Sequence, residues 1–183
     1  MHCLIYVYGN HERGMGHVYQ SYALSCALKD TVGAQTTFVV LDHPEGLRKF
    51  RQWGLEVIDI PCIAPRAEQI SLIERQIQTL SLDAVVVDIL ESPPDLMAYF
   101  RQKTECLVSI DDLGEGRFHA DLLFNVIHHP PRLPGAQYTE LTDLRYVILR
   151  EAFAQAHQLK RISPVRFGGF SYLKVEAILL AAS

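Results

Sequence analysis

Short apolar runs of strand length, separated by stretches with helical spacing, constrain the fold of this chain more than any other feature. They cover residues 3–8, 36–41, 55–60, 84–89, 106–110 and 122–127, and residues 145–150 are a candidate last strand. Most runs are continuous rather than alternating, which is typical of strands buried on both faces of a parallel sheet.

The segments between these runs carry helix signals. Residues 18–30 fit a helix, Pro44 can begin a second one, and apolar residues recur at helical spacing over 70–80. Ser92 is placed to cap another helix whose first residue is Pro93. Strand and helix alternate repeatedly, which predicts an α/β fold: a Rossmann-like, doubly wound, mainly parallel sheet.

Composition and charge exclude several classes of function. Apolar residues make up 49% of the 183 residues and charged residues 21%, as in an ordinary globular protein with a core. The net charge is −4 and there is no basic run, so a nucleic-acid partner is not expected. No apolar run approaches the roughly 18 residues of a membrane span, and the start does not resemble a signal peptide. We therefore expect a cytoplasmic protein.

The pattern changes after residue 127. The segment 128–135 is dense in proline and reads as a loop, and a polar linker begins near residue 154. Phe167-Gly168-Gly169 then looks like a new strand entering a glycine turn. We expect one domain over 1–153, and a linker with the start of a second domain over 154–183. The chain would be the first half of a two-domain protein, by truncation or as a separate subunit.

Cysteine and histidine spacing does not predict a metal site. The four cysteines, at positions 3, 26, 62 and 106, occur singly in apolar stretches, so buried, reduced thiols are favoured over disulfides or zinc. His128 and His129 are adjacent and would point in opposite directions in a strand. No metal and no other cofactor is expected.

The loop Gly14-x-Gly16-His17 follows the first strand and leads into the first helix. A helix N-terminus favours anions and disfavours imidazolium, so we expect His17 to be neutral and available as a base. The alternative is a tight turn with a surface histidine. The third glycine of a dinucleotide fingerprint is replaced by Tyr19, but Asp42 could mimic the ribose-binding acid and keeps a nicotinamide-dependent oxidoreductase open.

Acidic residues end two other strands. Asp88 ends one, and Asp111 and Asp112 directly follow the next. Parallel strands end at one edge, so these carboxylates and His17 would line a polar cleft suited to hydroxyl-rich ligands. Two adjacent carboxylates need a cation, a bound hydroxyl or capping N–H groups nearby. The alternative is an Asx-turn or helix cap.

Five motifs in order resemble a known family. They are Gly14-x-Gly16-His17, the strand end at Asp88, Ser109-Ile110-Asp111-Asp112-Leu113, Ala120-Asp121-Leu122-Leu123-x-Asn125 and Tyr146-x-x-Leu149-Arg150-x-x-Phe153. Together they resemble the UDP-sugar hydrolase of pseudaminic acid biosynthesis and related spore-coat polysaccharide proteins, within the GT-B superfamily that includes the peptidoglycan glycosyltransferase. The likeness covers about residues 3–153.

The resemblance implies two Rossmann-like domains with a cleft between them. The second domain would grip UDP, and residues 1–153 would hold the sugar or acceptor. His17 would be the base that activates water for attack on the anomeric carbon. The implied substrate-binding residues are Gly14, Gly16, Asp88, Asp111, Asp112, Asn125 and Tyr146.

The chain departs from the family pattern in three places. Gln20 stands where the family has arginine, Ala152 replaces a glutamate, and Phe170-Ser171-Tyr172 replaces an expected aspartate. We therefore expect the isolated chain to be inactive as a hydrolase or glycosyltransferase. A non-catalytic subunit that needs a separate nucleotide-binding half is the second hypothesis, and an NAD-binding oxidoreductase domain is the third.

Overall fold

The computed structural model describes residues 1–9, 15–41, 44–148 and Ile178. Its strands are β1 (His2–Val7), β2 (Gln35–Leu41), β3 (Val57–Ile60), β4 (Ala84–Asp88), β5 (Leu107–Ile110), β6 (Leu122–Phe124) and β7 (Thr139–Leu141). Its α-helices are α1 (Gly16–Val32), α2 (Pro44–Gln52), α3 (Arg66–Ile77) and α4 (Pro94–Arg101). Short 3₁₀ helices cover Glu115–His119 and Leu144–Tyr146.

All seven strands lie parallel in one sheet, in the order β3-β2-β1-β4-β5-β6-β7. The strand order reverses between β1 and β4, as in doubly wound folds, where ligands bind at the carboxyl ends of the strands flanking the reversal. Val7 pairs with Asp88 at those two ends. The predicted Rossmann-like, doubly wound fold is confirmed.

Helices cover both faces of the sheet, so the strands need apolar side chains on both sides. Helices α1 and α2 pack on one face, where Phe50 lies against Phe38 with ring centroids 4.7 Å apart. Helices α3 and α4 pack on the other, where Phe100 meets Tyr6 edge-on at 5.7 Å. Phe50 and Phe100 are fully buried, and each such burial stabilises the fold by about 1.5–3 kcal/mol.

The last predicted strand, at 145–150, is wrong within its described part. Leu144–Tyr146 forms a 3₁₀ turn, and the Asp143 carboxylate caps it by accepting the backbone N–H of Arg145. Within the described residues the last strand is instead β7, which comes earlier and lies at the sheet edge. Its residues are partly or fully exposed, so it lacks the apolar run by which the buried strands are recognised.

The predicted cap at Ser92 is also wrong. Helix α4 begins at Pro94, one residue later than predicted, with Pro93 in the cap position and no side-chain cap. The Ser92 hydroxyl donates its hydrogen bond to Asp112 instead. A serine before two prolines fits a cap in sequence. Here its hydroxyl binds a buried carboxylate instead, and hydrogen bonds to a charged group are stronger than those between neutral groups.

All four cysteines have free thiols, but not all of them are buried. Cys3 and Cys106 are buried, which raises the pKa of Cys3 to about 12, whereas Cys26 is half-buried and Cys62 is exposed. Cys62 follows β3 in the loop before α3, outside the apolar run. Burial was therefore the wrong expectation for Cys62.

The remainder of the domain prediction falls mostly outside the described residues. Of the segment 154–183, only Ile178 is described; it is buried in the cluster under α1 and α2, and its carbonyl oxygen accepts the Cys106 thiol at 3.7 Å. The motif at 167–169 is not described. Within the described part of the chain, no helix has the length and apolar character that crossing a membrane requires.

Candidate functional site

The candidate site lies where α1 begins, beside the strand-order reversal. The loop from β1 to α1 includes Gly14, which lies outside the described residues, as does Asp42 of the nicotinamide hypothesis. Helix α1 starts at Gly16, so His17 occupies its first turn as the sequence predicts. Its neighbour across the reversal is the carboxyl end of β4, at Asp88.

Asp88 collects three side-chain donors from one face of α1. The Nδ1 of His17 lies 2.6 Å from its Oδ1, and the Nε2 of Gln20 donates to the same oxygen at 3.1 Å. The Ser21 hydroxyl donates to Oδ2 at 2.7 Å. The carboxylate is fully buried, so these bonds replace the water it has lost.

This geometry fixes which imidazole nitrogen can act as a base. An ionised carboxylate accepts hydrogen bonds and donates none, so the Nδ1 of His17 carries the proton shared with Asp88. In the neutral ring the lone pair is therefore on Nε2, the nitrogen turned away from β4. The arrangement resembles catalytic sites in which a buried carboxylate orients a histidine base.

The expected lowering of the His17 pKa by the helix N-terminus is not the direction found. Burial of the ring is the largest single effect and lowers the pKa of His17, but the hydrogen bond and charge of Asp88 and the charges of Asp111 and Asp112 together raise it. The pKa therefore lies above its ordinary value of 6.5. Carboxylates at contact distance dominate over a helix dipole, which is equivalent to about half a charge.

Asp111 turns away from its neighbour through an unusual backbone. Its φ is 50°, the one positive φ at a non-glycine residue among those described. Its Oδ1 accepts the backbone N–H groups of Val126 and Ile127 at 3.1 and 3.4 Å, and Gln20 donates to its Oδ2 at 3.4 Å. Gln20 thus bridges the carboxylates of Asp88 and Asp111. Backbone N–H groups accepted by both aspartates, together with the hydroxyls that donate to Asp112, let the two adjacent carboxylates share this edge.

Asp112 holds a loop together. Its Oδ1 accepts the backbone N–H groups of Ser92 at 2.9 Å and Gly114 at 2.8 Å. Its Oδ2 accepts the hydroxyls of Ser92 and of Ser109, the latter at 2.6 Å. The side chain is fully buried. Four donors occupy both oxygens, which favours a role in ordering this loop over contact with a sugar.

Asn125 and Tyr146 also serve the framework. Asn125 is fully buried; its Oδ1 accepts the Asp112 N–H at 2.9 Å, and its Nδ2 donates to the Asp112 carbonyl at 3.3 Å. The half-buried Tyr146 packs its ring 5.7 Å from that of Phe124. The structure brings His17, Asp88 and Asp111 together, whereas binding roles for Asn125, Tyr146 and Gly16 stay predictions.

Sequence reasoning missed the roles of Gln20 and Ser21. Both follow His17 at helical spacing, three and four residues on, so the three side chains share one face of α1. That spacing was the available signal. A metal was not expected, and in the part of the chain that the structure describes no group of three or more ligating side chains could hold one.

Comparisons with known proteins agree with this fold. No protein-family model matches the chain. The spore coat polysaccharide biosynthesis protein SpsG of Bacillus subtilis is 28% identical over 165 residues, which are 86% of this chain and 46% of that protein. The crystal structure of MurG from Acinetobacter baumannii aligns with a TM-score of 0.57 and 11% identity, over 90% of this chain and 50% of that one.

The chain therefore spans about half the length of each of these proteins. The MurG likeness shows a shared fold, and it agrees with the predicted N-terminal domain of GT-B type. On both grounds, this chain is similar in sequence to about half of a spore coat polysaccharide biosynthesis protein and in fold to about half of MurG.

Proposed function

We propose that this chain is the sugar-side domain of a GT-B-type enzyme that acts on a UDP-sugar, with His17 as the general base. The reaction favoured is hydrolysis, in which UDP-sugar and water give free sugar and UDP. A glycosyltransferase would use the same base on an acceptor hydroxyl. The sequence likeness to a polysaccharide biosynthesis protein supports this class of chemistry.

The observation that carries the proposal is the 2.6 Å contact between His17 and the buried Asp88. Asp88 fixes the proton on Nδ1, so Nε2 takes a proton from the attacking water as its oxygen bonds to the anomeric carbon. The bond from that carbon to the diphosphate oxygen breaks, and UDP leaves with the electron pair. Asp88 stabilises the imidazolium that forms.

The charges at this edge support a division of labour between two domains. Asp88, Asp111 and Asp112 are all buried beside His17, and they would repel a diphosphate placed among them. Sugar hydroxyls, in contrast, can donate to the Asp111 Oδ2, to which Gln20 donates across a long 3.4 Å. We place the sugar here and the UDP on a second domain, which the chain would need for catalysis.

Calorimetric titration tests this division. We expect the isolated chain to bind free UDP weakly or not at all, and any affinity for UDP-sugars to depend on the sugar. Tight binding of free UDP would contradict the proposal. Titration with NAD serves as a control for the oxidoreductase hypothesis, and saturable binding there would favour that class instead.

Mutation of the base tests the mechanism in a complete two-domain relative. Replacing the histidine aligned with His17 by alanine should abolish release of free sugar while UDP binding persists, because only the proton acceptor is lost. Alanine at the position aligned with Ser25 is a matched control, since in this chain the Ser25 hydroxyl donates to the Tyr22 carbonyl within α1. Near-normal turnover in the histidine variant would refute the base role.

A further inference from the structure

Ser21 shares the carboxylate of Asp88 with His17 and binds its other oxygen. It is fully buried and lies four residues after His17 on α1. Its hydroxyl donates to the Asp88 Oδ2 at 2.7 Å, while His17 occupies Oδ1 of the same carboxylate. The two side chains therefore compete for the charge of one buried anion.

We propose that Ser21 is a positioning residue for His17: its hydroxyl holds the Asp88 carboxylate with Oδ1 facing Nδ1 and limits how strongly that carboxylate retains the ring proton. The inference rests on the proposed function in one respect, since it explains how a histidine beside three carboxylates remains able to accept a proton.

The electrostatic reasoning follows from the groups that face His17. Asp88 approaches from β4, and Asp111 and Asp112 from the turn after β5; all three favour imidazolium. Gln20 and Ser21 are the neutral donors that α1 directs at Asp88. A hydrogen bond to a carboxylate stabilises its negative charge and weakens its pull on other protons. Removing the Ser21 donor should therefore tighten the hold of Asp88 on the His17 proton.

The test is an NMR titration of the His17 ring in the full chain. The signal is one of eight histidines and is identified by its loss in His17→Gln. In Ser21→Ala we expect the acid dissociation constant of the ring to fall by roughly three- to tenfold, within the range of one charge-assisted hydrogen bond. Ser25→Ala, one turn further along α1, should leave it unchanged. Residues 10–14 are the same in all variants, so they do not contribute to a difference in the acid dissociation constant of His17 between variants.

An unchanged or weakened proton affinity in a folded Ser21→Ala would overturn the proposal, as would an equal effect of Ser25→Ala. If alanine prevents folding, Ser21→Cys keeps a weaker donor of similar size and should shift the titration in the same direction by less. Ser21→Thr keeps the hydroxyl and should restore the original value. The titration needs no substrate, so it reads this coupling even if His17 proves not to be the base.

Discussion

Replacing Asp88 with asparagine tests the pair at the centre of the site. The amide oxygen can still accept from His17 and Gln20, and the Ser21 hydroxyl can turn to accept from the amide nitrogen. The structure therefore retains its contacts but loses the charge. A hydrogen bond to a charged group contributes about 1.5–3 kcal/mol and a neutral one about 1 kcal/mol, so the His17 contact weakens by about 1 kcal/mol when the ring is protonated.

The pH dependence follows from the raised pKa of His17. Burial is the largest single effect and lowers the pKa, but the hydrogen bond and charge of Asp88, with the charges of Asp111 and Asp112, together hold the folded pKa above the ordinary 6.5. The stability that this provides is fully present below the unfolded pKa of His17 and is lost as pH rises through the folded value. In Asp88→Asn the burial effect remains while the largest opposing effect is gone. The pH-dependent gain should therefore disappear.

Urea unfolding at several pH values measures this. We expect the free energy of unfolding of Asp88→Asn to fall further below wild type at about pH 6 than at about pH 9, with the difference growing by about 1 kcal/mol. Asp59→Asn, at an exposed carboxylate of β3, is the control for loss of one charge and should show no such trend. A gap between Asp88→Asn and wild type that is constant with pH would refute the reasoning.

Two further predictions concern the loop that Asp112 orders. Asp112→Ala leaves the N–H groups of Ser92 and Gly114 without their acceptor. Urea unfolding should therefore show that the free energy of unfolding falls by about 3–5 kcal/mol, and by less in Asp112→Asn, which keeps one oxygen. Equal losses in the two variants would argue against this role. Gly114→Ala would place a Cβ in a clash with the backbone nitrogen of Ser92 and should lower stability by at least about 1–3 kcal/mol. Gly16→Ala, where none of the described residues comes within 4 Å of the added Cβ, should not lower it. A melting temperature equal to wild type in both variants would contradict the packing argument.

The fold was predictable for the strands that are buried on both faces, because such strands are recognisable as apolar runs in the sequence. Strands β1, β2, β4 and β5 are continuous apolar runs because helices cover both of their sides. Strand β7 escaped prediction because an edge strand that is partly exposed needs no such run. The cap at Ser92 failed for another reason: local spacing does not reveal that Asp112, 20 residues away, accepts the N–H and the hydroxyl of Ser92 and holds the side chain there.

The site was predictable in its location but not in its electrostatics. Parallel strands bring their carboxyl ends together, so the meeting of His17, Asp88 and Asp111 follows from strand order alone. Which oxygen meets which nitrogen depends on side-chain geometry across the sheet. The sequence therefore did not reveal that Asp88 raises the pKa of His17, or that Asp112 is occupied by Ser92 and Ser109.

The adjacency of β1 and β4 has a consequence for synthesis of the protein. His17 and Asp88 are 71 residues apart, and β1 stays an open edge on one side until β4 has been made. A nascent chain that leaves the ribosome N-terminus first would therefore expose His17 well before Asp88 has been synthesised. Acquisition of the pair should be a late event in maturation, paced by a long-range strand pairing rather than by helix formation.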